Sequence, residues 1–235
     1  MTAEQLATQK RNAAHHAATY VKPGMVVGLG SGSTAVLFVE RLAALIRAGS
    51  LRDIVCVPTS SLIETLARQH KIPLASLEDR PDVHLTVDGA DEVDPQLNLI
   101  KGGGGALLRE KIVAQASARE VIIIDETKLS PLLGTKWHVP VEVVTFGWRT
   151  QFEYLSSLGA EVNLRETESG MPFVSDQGNY ILDANFGTIE NPAALAAKLK
   201  ARVGIIEHGI FVGLAQEVIV GTHEGVRVMS IAARE

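Results

Sequence analysis

Hydrophobic positions in the first half of the chain follow two periods in alternation. Short apolar runs such as Met25–Leu29 and Val121–Ile124 predict strands that are buried on both faces. Between the runs, apolar residues recur at helical spacing, as they do from Ala35 to Ile46. Because strands alternate with helices, we predict a mostly parallel, doubly wound, Rossmann-like α/β sheet. The predicted strands are 25–29, 54–58, 84–87 and 121–124, and the predicted helices are 4–20, 35–46, 60–70 and 106–117.

The pattern changes beyond Gly134. Strands are predicted at 139–146 and 161–165, helices at 150–158 and 192–202, and a hairpin at 173–183. This is an α+β pattern, and the last predicted strands, 217–220 and 226–229, return to the first sheet. We therefore predict a catalytic α/β domain over residues 1–135 and 212–235 and a smaller α+β domain over residues 136–211.

Composition and charge exclude several classes of protein. The chain of 235 residues has 22 Lys and Arg against 27 Asp and Glu, a formal charge of −5, which is too acidic to coat nucleic acid or an anionic membrane. The single cysteine, Cys56, excludes an internal disulfide. No apolar run approaches the roughly 20 residues of a membrane helix, and the polar N-terminus lacks a signal-peptide pattern. These features predict a cytoplasmic protein with no nucleic-acid or membrane partner, in which local groups bind any anionic ligand.

Ligands of open parallel sheets bind beyond the carboxyl ends of the strands, where the first candidate is a glycine loop. Gly28, Gly30 and Gly32 do not form the dinucleotide fingerprint, because Ser33 stands where the third glycine is needed. The loop does offer the hydroxyls of Ser31, Ser33 and Thr34 at a helix N-terminus, which suits a terminal phosphate. The alternative is a tight turn with a serine or threonine cap.

A pair of carboxylates follows the third predicted strand. Asp88 and Asp91 flank Gly89 and Ala90, and the calcium-loop pattern fails because Ala90 stands where a ligand is needed. Paired carboxylates beside a ligand can hold sugar hydroxyls or move protons. The alternative is a solvated acidic turn.

A second glycine loop precedes the fourth helix. Lys101 is followed by Gly102, Gly103, Gly104 and Gly105, and a backbone free to adopt positive φ can form a nest of amides for an oxyanion, to which the lysine adds a charge. The alternative is a flexible loop. Glu110, one turn into the helix, would on its own be an ordinary surface glutamate.

The remaining candidates are weaker. Lys128 follows a strand end and could reach a phosphate or carboxylate, although it could equally be a surface lysine. The seven histidines show no pair at metal-ligand spacing. The residues therefore predict no metal site.

Five segments in order closely resemble ribose-5-phosphate isomerase of type A. The segments are Gly28–Ala35 (GLGSGSTA), Pro58–Ser60 (PTS), Asp88–Asp94 (DGADEVD), Lys101–Lys111 (KGGGGALLREK) and Asp125–Lys128 (DETK). The resemblance implies interconversion of ribose 5-phosphate and ribulose 5-phosphate in the pentose phosphate pathway, with no metal or organic cofactor. It also implies a homodimer or a larger homo-oligomer.

The resemblance assigns roles to the candidate residues. Glu110 matches the catalytic base, and Lys128 and Lys10 match further substrate contacts. The remaining matches are to the family's substrate loops: Ser31, Gly32, Ser33, Thr34, Asp88, Gly89, Ala90, Asp91, Lys101, Gly102, Gly103 and Gly104. Glu110 would move the proton between C2 and C1, Lys101 and the glycine amides would stabilise the enediolate, Asp88 would open the sugar ring, and Asp91 would orient hydroxyls.

Two other functions are compatible with parts of the pattern. A coenzyme A transferase of similar fold would use a glutamate as nucleophile, but the chain lacks a second half to complete such an enzyme. A sugar-phosphate sensor would carry a DNA-binding helix-turn-helix, and the residues before the first predicted strand are too few for one.

Overall fold

The computed structural model describes residues 1–230, and contacts within the chain divide it into two compact units. The first unit comprises Met1–Ala90, Arg109–Lys128 and the chain from Gly213 onward, and the second comprises Asp91–Leu108 and Leu129–Val212. The predicted domains, 1–135 with 212–235 and 136–211, stay a prediction. Within that prediction, residues 91–108 fall in the larger domain, whereas the contacts group them with the second unit, and residues 231–235 lie outside the described residues.

The secondary structure consists of short strands and helices. The helices are α1 (Ala3–Ala17), α2 (Ser33–Arg47), α3 (Ser61–Gln69), α4 (Leu107–Gln115), α5 (Trp148–Ser157) and α6 (Pro192–Lys200), with 3-10 turns at Ala18–Tyr20 and Glu126–Lys128. The strands are β1 (Val26–Leu29), β2 (Val55–Pro58), β3 (Leu85–Asp88), β4 (Glu92–Val93), β5 (Leu99–Ile100), β6 (Glu120–Asp125), β7 (Val139–Val143), β8 (Glu161–Leu164), β9 (Tyr180–Asn185), β10 (Ile205–His208), β11 (Ile210–Phe211), β12 (Glu217–Gly221) and β13 (Val226–Ser230).

The first unit contains a six-stranded sheet in the order β13-β12-β6-β3-β1-β2. Its strands are parallel except for β13, which runs antiparallel to β12. Side chains alternate between the faces: Val27 and Cys56 pack with α1, α2 and α3, whereas Val26 and Val57 pack with Val113 of α4. The predicted doubly wound sheet, covered on both faces, is therefore confirmed.

The second unit contains two antiparallel sheets. One has the order β10-β7-β9-β8 and shares its core with Leu155 of α5 and Leu199 of α6. The other has the order β11-β5-β4, and this pairing is why residues 91–108 group with the second unit. The predicted hairpin at 173–183 differs in detail, because β9 pairs with β7 and β8 while Val174 forms only an isolated bridge with Tyr180. The smaller α+β part is thus confirmed as antiparallel.

None of the helices within residues 1–230 is both long enough and apolar enough to cross a membrane.

Candidate active site

The first glycine loop joins β1 to the N-terminus of α2. Gly32 is the N-cap residue with φ +99°, and within the described part of the chain no side chain caps this helix. Its first N–H groups are therefore left for an anion, whose charge the helix dipole favours. The Lys10 ammonium of α1 donates to Ser33 Oγ at 3.0 Å. Ser33 is exposed while Thr34 is buried, so the predicted phosphate site has a cation, amides and an exposed hydroxyl together.

Hydrogen bonds connect the loops that follow β1, β2 and β3. Asp88 is fully buried, and its Oδ1 accepts from the N–H of Ser31 at 2.9 Å and of Gly89 at 2.7 Å. The Ser31 hydroxyl donates to Ser60 Oγ at 2.8 Å and lies 2.8 Å from Thr59 Oγ1. The predicted candidates Ser31 and Asp88 are therefore in direct contact, and the order of the parallel strands is what brings them together.

The other candidates of the first unit lie on α4 and beyond β3 and β6. Glu110 is in the first turn of α4 and is 4% exposed, so it is a buried carboxylate and not the ordinary surface glutamate of the alternative reading. Ala90 and Lys128 are half-buried. The turn that ends at Lys128 is held by Gln9 of α1, whose amide donates to Glu126 Oε2 at 2.6 Å and accepts from the Glu126 N–H at 3.2 Å.

The second unit holds Asp91 and the second glycine loop. Asp91 Oδ2 accepts from the Gly103 N–H at 2.7 Å, and the Gly105 N–H donates to the Gly102 carbonyl at 2.9 Å. Lys101 is 2% exposed, and its ammonium lies 5.6 Å from the centroid of the Phe211 ring. Asp91, Lys101, Gly102 and Gly103 therefore form one ordered cluster, with the exposed Gly104 next in the loop.

The acidic residues that follow Asp91 have structural contacts. The fully buried Glu92 carboxylate accepts from the N–H groups of Gly134, Lys136 and Trp137 at 2.9, 3.0 and 3.2 Å. Asp91 of this acidic segment contacts the glycine loop through the Gly103 N–H.

The single cysteine and the arrangement of possible metal ligands limit the chemistry of the site. Burial raises the pKa of the Cys56 thiol to about 12, so this cysteine stays protonated and unreactive. Among residues 1–230, no group of three or more His, Cys, Asp or Glu side chains is arranged to hold a metal ion; that the reaction needs no metal stays a prediction.

One contact of the second glycine loop has no counterpart in the sequence patterns. Arg165, which follows β8, donates through Nη1 to the carbonyls of Gly102 at 2.9 Å and Gly103 at 3.0 Å. Nothing in the sequence around Arg165 distinguishes it from a surface arginine at a strand end.

A parallel sheet whose strand ends carry an uncapped helix N-terminus and a buried carboxylate is typical of α/β proteins that bind a small ligand at this edge. Residues 55–225 match the sequence profile of the family described as Ribose 5-phosphate isomerase A (phosphoriboisomerase A). The chain therefore belongs to the ribose 5-phosphate isomerase A family. The family and the enzyme class that the resemblance implies are confirmed.

Individual relatives match along nearly the whole chain. A ribose-5-phosphate isomerase A from Chloroflexus aurantiacus is 54% identical over 220 residues, which is 94% of this chain and 92% of the relative. One from Desulfatibacillum aliphaticivorans is 49% identical and covers 95% and 97% of the two chains. Among solved structures, a D-ribose-5-phosphate isomerase in complex with phospho-erythronic acid superposes with a TM-score of 0.94 at 41% identity, covering 96% of this chain and 99% of that one.

Proposed function

We propose that this protein interconverts D-ribose 5-phosphate and D-ribulose 5-phosphate, with Glu110 as the base and an enediolate as the intermediate. The observation that carries the proposal is the match to isomerases of this name at about half identity over more than nine-tenths of the chain. The buried carboxylates and the uncapped helix N-terminus supply groups of the kind that the reaction needs.

The reaction moves two protons. In the open-chain aldose, Glu110 removes the proton on C2, and the electrons of that bond form the C1–C2 double bond while the C1 oxygen becomes negative. Glu110 then returns its proton to C1, and the electrons of the O2–H bond form the C2 carbonyl of the ketose. The O2 proton leaves to the solution and O1 takes one proton from the solution, so the number of protons balances. An ordinary glutamate has a pKa of about 4.3 and is a weak base toward carbon, so the negative oxygen must be stabilised. Lys101 and the amides of the second glycine loop are suited to that role.

The ring form of the sugar must open before this step. We assign proton transfer at the ring oxygen and anomeric hydroxyl to Asp88 and the orientation of hydroxyls to Asp91. The phosphate is assigned to Ser31, Gly32, Ser33 and Thr34 with Lys128, because binding energy from a remote phosphate positions the reacting carbons. The ammonium of Lys10, 3.0 Å from Ser33 Oγ, supports this assignment.

The deciding experiment compares two glutamine variants. Glu110→Gln keeps the shape of a buried side chain and removes the base, and we expect kcat to fall by about 10²- to 10⁴-fold. Glu142→Gln is the matched control, since Glu142 is also buried and hydrogen-bonded, to Ser175 and Asn179 in the second unit. If the wild type does not convert ribose 5-phosphate, the proposed function is wrong. If Glu110→Gln keeps full turnover, only the assignment of the base is wrong.

The assembly and setting of the protein are also proposals. We propose a homodimer or a larger homo-oligomer that acts in the cytoplasm in the non-oxidative branch of the pentose phosphate pathway; the family resemblance supports each of these. Light scattering at several protein concentrations tests the assembly, and a monomer at all of them would contradict it. Cell fractionation tests the location.

A further inference from the structure

Side chains from other parts of the second unit hold the second glycine loop. The Gly102–Gly103 peptide is bound at both ends: the Gly103 N–H donates to Asp91 Oδ2 at 2.7 Å, and the Gly102 carbonyl accepts from Arg165 Nη1 at 2.9 Å. The same nitrogen lies 3.0 Å from the Gly103 carbonyl. Because glycine gives the backbone wide conformational freedom, these outside contacts determine the orientation of the peptides.

The contact with the Gly103 carbonyl also sets the next amide. A trans peptide holds its carbonyl and its N–H in opposite directions, so the N–H of Gly104 points away from Arg165. Gly104 is exposed, and a Cβ built on it would meet no atom within 4 Å. A guanidinium on the carbonyl polarises the peptide and strengthens its N–H as a donor. The Gly104 N–H is thereby oriented away from Arg165 and strengthened as a hydrogen-bond donor.

Arg165 is itself held in one orientation. Its Nε and Nη2 donate to the two oxygens of Asp183 at 2.9 and 2.5 Å, and His138 Nε2 lies 3.1 Å from Asp183 Oδ1. The side chains of Arg165 and Asp183 are only 13% and 17% exposed. Burial by itself raises the pKa of Asp183, but the hydrogen bonds from His138 and Arg165 outweigh it and lower the pKa. The carboxylate that holds the guanidinium is therefore charged at neutral pH.

We propose that Arg165, held by Asp183, is a positioning residue that orients the glycine-loop peptides so that the Gly104 amide stabilises the negative oxygen of the enediolate. This inference rests on the proposed function, since it names a determinant of the same reaction. Lysine cannot replace the arginine, because a single ammonium cannot make the forked contact with Asp183 and also reach two carbonyls.

The test combines kinetics with two inhibitors. We compare Arg165→Lys and Asp183→Asn with Arg202→Met, a control that removes a second arginine of the same unit, one that contacts Gln151 and the Tyr154 ring instead of the loop. Loss of a complete oxyanion donor lowers kcat by about 10²- to 10³-fold, and for a misoriented donor we expect a decrease of about 10- to 100-fold in Arg165→Lys. KM should change by less than about threefold, because uniform binding is not altered.

The inhibitors separate positioning from general structure. Phospho-erythronate has a carboxylate that resembles the enediolate oxygens, whereas erythritol 4-phosphate has the phosphate and hydroxyls without it. We expect Arg165→Lys to weaken binding of the acid, measured by calorimetry, about as much as kcat falls, and to leave binding of the polyol unchanged. In NMR spectra of the wild type, the Gly104 amide resonance should shift when phospho-erythronate binds, and this shift should be lost in Arg165→Lys.

Three results would overturn the inference. They are an unchanged kcat in both Arg165→Lys and Asp183→Asn, an equal loss of affinity for both inhibitors, and a Gly104 amide that does not respond to the acid. If Arg165→Lys does not fold, the kinetics and inhibitor affinities of Asp183→Asn, together with the Gly104 amide shift of the wild type, test the same inference. An inactive wild type would reject the proposed function instead, and the inhibitor comparison would still judge the role of Arg165.

Discussion

Three glycines of the two glycine loops differ in what a methyl group added to them would meet. A Cβ at Gly30 would overlap both the side chain and the Cα of Asp88 in β3. A Cβ at Gly32 would meet nothing within 4 Å, but this residue has φ +99°, which L residues rarely adopt. At Gly104 the space is open and φ lies outside that region. Alanine at Gly30 therefore tests steric overlap, alanine at Gly32 tests backbone strain, and alanine at Gly104 introduces neither.

The contacts also set the expected size of each effect. At Gly30 the overlap is with the backbone of a strand that is buried and paired on both sides, so we expect the upper end of the overpacking range, about 3 kcal/mol. At Gly32, where φ is +99° and ψ is 172°, an L residue is forced into a region that essentially only glycine adopts, at a cost of about 1–3 kcal/mol. At Gly104 the free energy of unfolding should change by less than about 0.5 kcal/mol. With a shift of about 2–4 °C per kcal/mol, Tm should fall by roughly 6–12 °C in Gly30→Ala, 2–12 °C in Gly32→Ala and 2 °C or less in Gly104→Ala.

Calorimetry on the three variants and the wild type measures these shifts. Since a chain of two compact units need not unfold in one step, the melting temperature of each transition is compared separately, and the Gly30 and Gly32 effects should fall on the transition of the first unit. Equal shifts for all three variants would refute the reasoning, as would a Gly30→Ala variant that melts at the wild-type temperature. Gly30→Ala should also lower kcat, because it displaces Asp88.

Three further predictions concern side chains. Lys10→Met should raise KM for ribose 5-phosphate about 10-fold, which corresponds to the lower end of the free energy of a charge-assisted hydrogen bond because the ammonium is partly solvated. The control Arg11→Met, on the exposed side of α1, should leave KM unchanged. If both variants have the same KM, Lys10 does not bind the phosphate. Because burial raises the pKa of Cys56 to about 12, a thiol reagent at pH 8 should label it only after unfolding, and labelling of the native protein would contradict its burial. The lowered pKa of Asp183 means that its stabilisation is present above the ordinary aspartate pKa and is lost as the pH falls through the lower folded pKa. In acid denaturation, the free energy of unfolding of Asp183→Asn should therefore depend less on pH in that acidic range than that of the wild type. An identical pH dependence of the two proteins would show that Asp183 does not have a lowered pKa.

The elements that local patterns could predict are those with a clear period. The central strands β1, β3 and β6 are buried along their whole length, and β1 and β6 contain apolar runs, because helices cover both faces of their sheet. The strands β4, β5 and β11 have two residues each, too few to show any period, and β5 pairs with β11 through Ile100 and Ile210, which are far apart in the sequence. Pairing of this kind depends on the tertiary structure, so the grouping of residues 91–108 with the second unit could not be predicted from local patterns.

The site divides in the same way. Ser31 and Asp88 could be placed together because each follows a parallel strand and the carboxyl ends of neighbouring strands meet at one edge. Gln9 and Arg165 could not be placed in this way, since their partners Glu126 and Gly102 lie 117 and 63 residues away in the sequence. Polar residues on a helix or at a strand end usually face solvent. The sequence pattern cannot identify the distant residue that each of these side chains contacts in the folded chain.

The two glycine loops, which we propose as anion-binding sites, are held in place by different groups. In the first, the N-terminus of α2 orients the amides, and the helix itself supplies the rigidity. In the second, four consecutive glycines have no such frame, and a flexible loop is the expected result unless other groups fix the peptides. Asp91 on one side and Arg165 on the other bind opposite ends of a single peptide. The glycines thus permit the conformation while two charged side chains select it, which is why removing Arg165 should affect the reacting oxygen more than the phosphate.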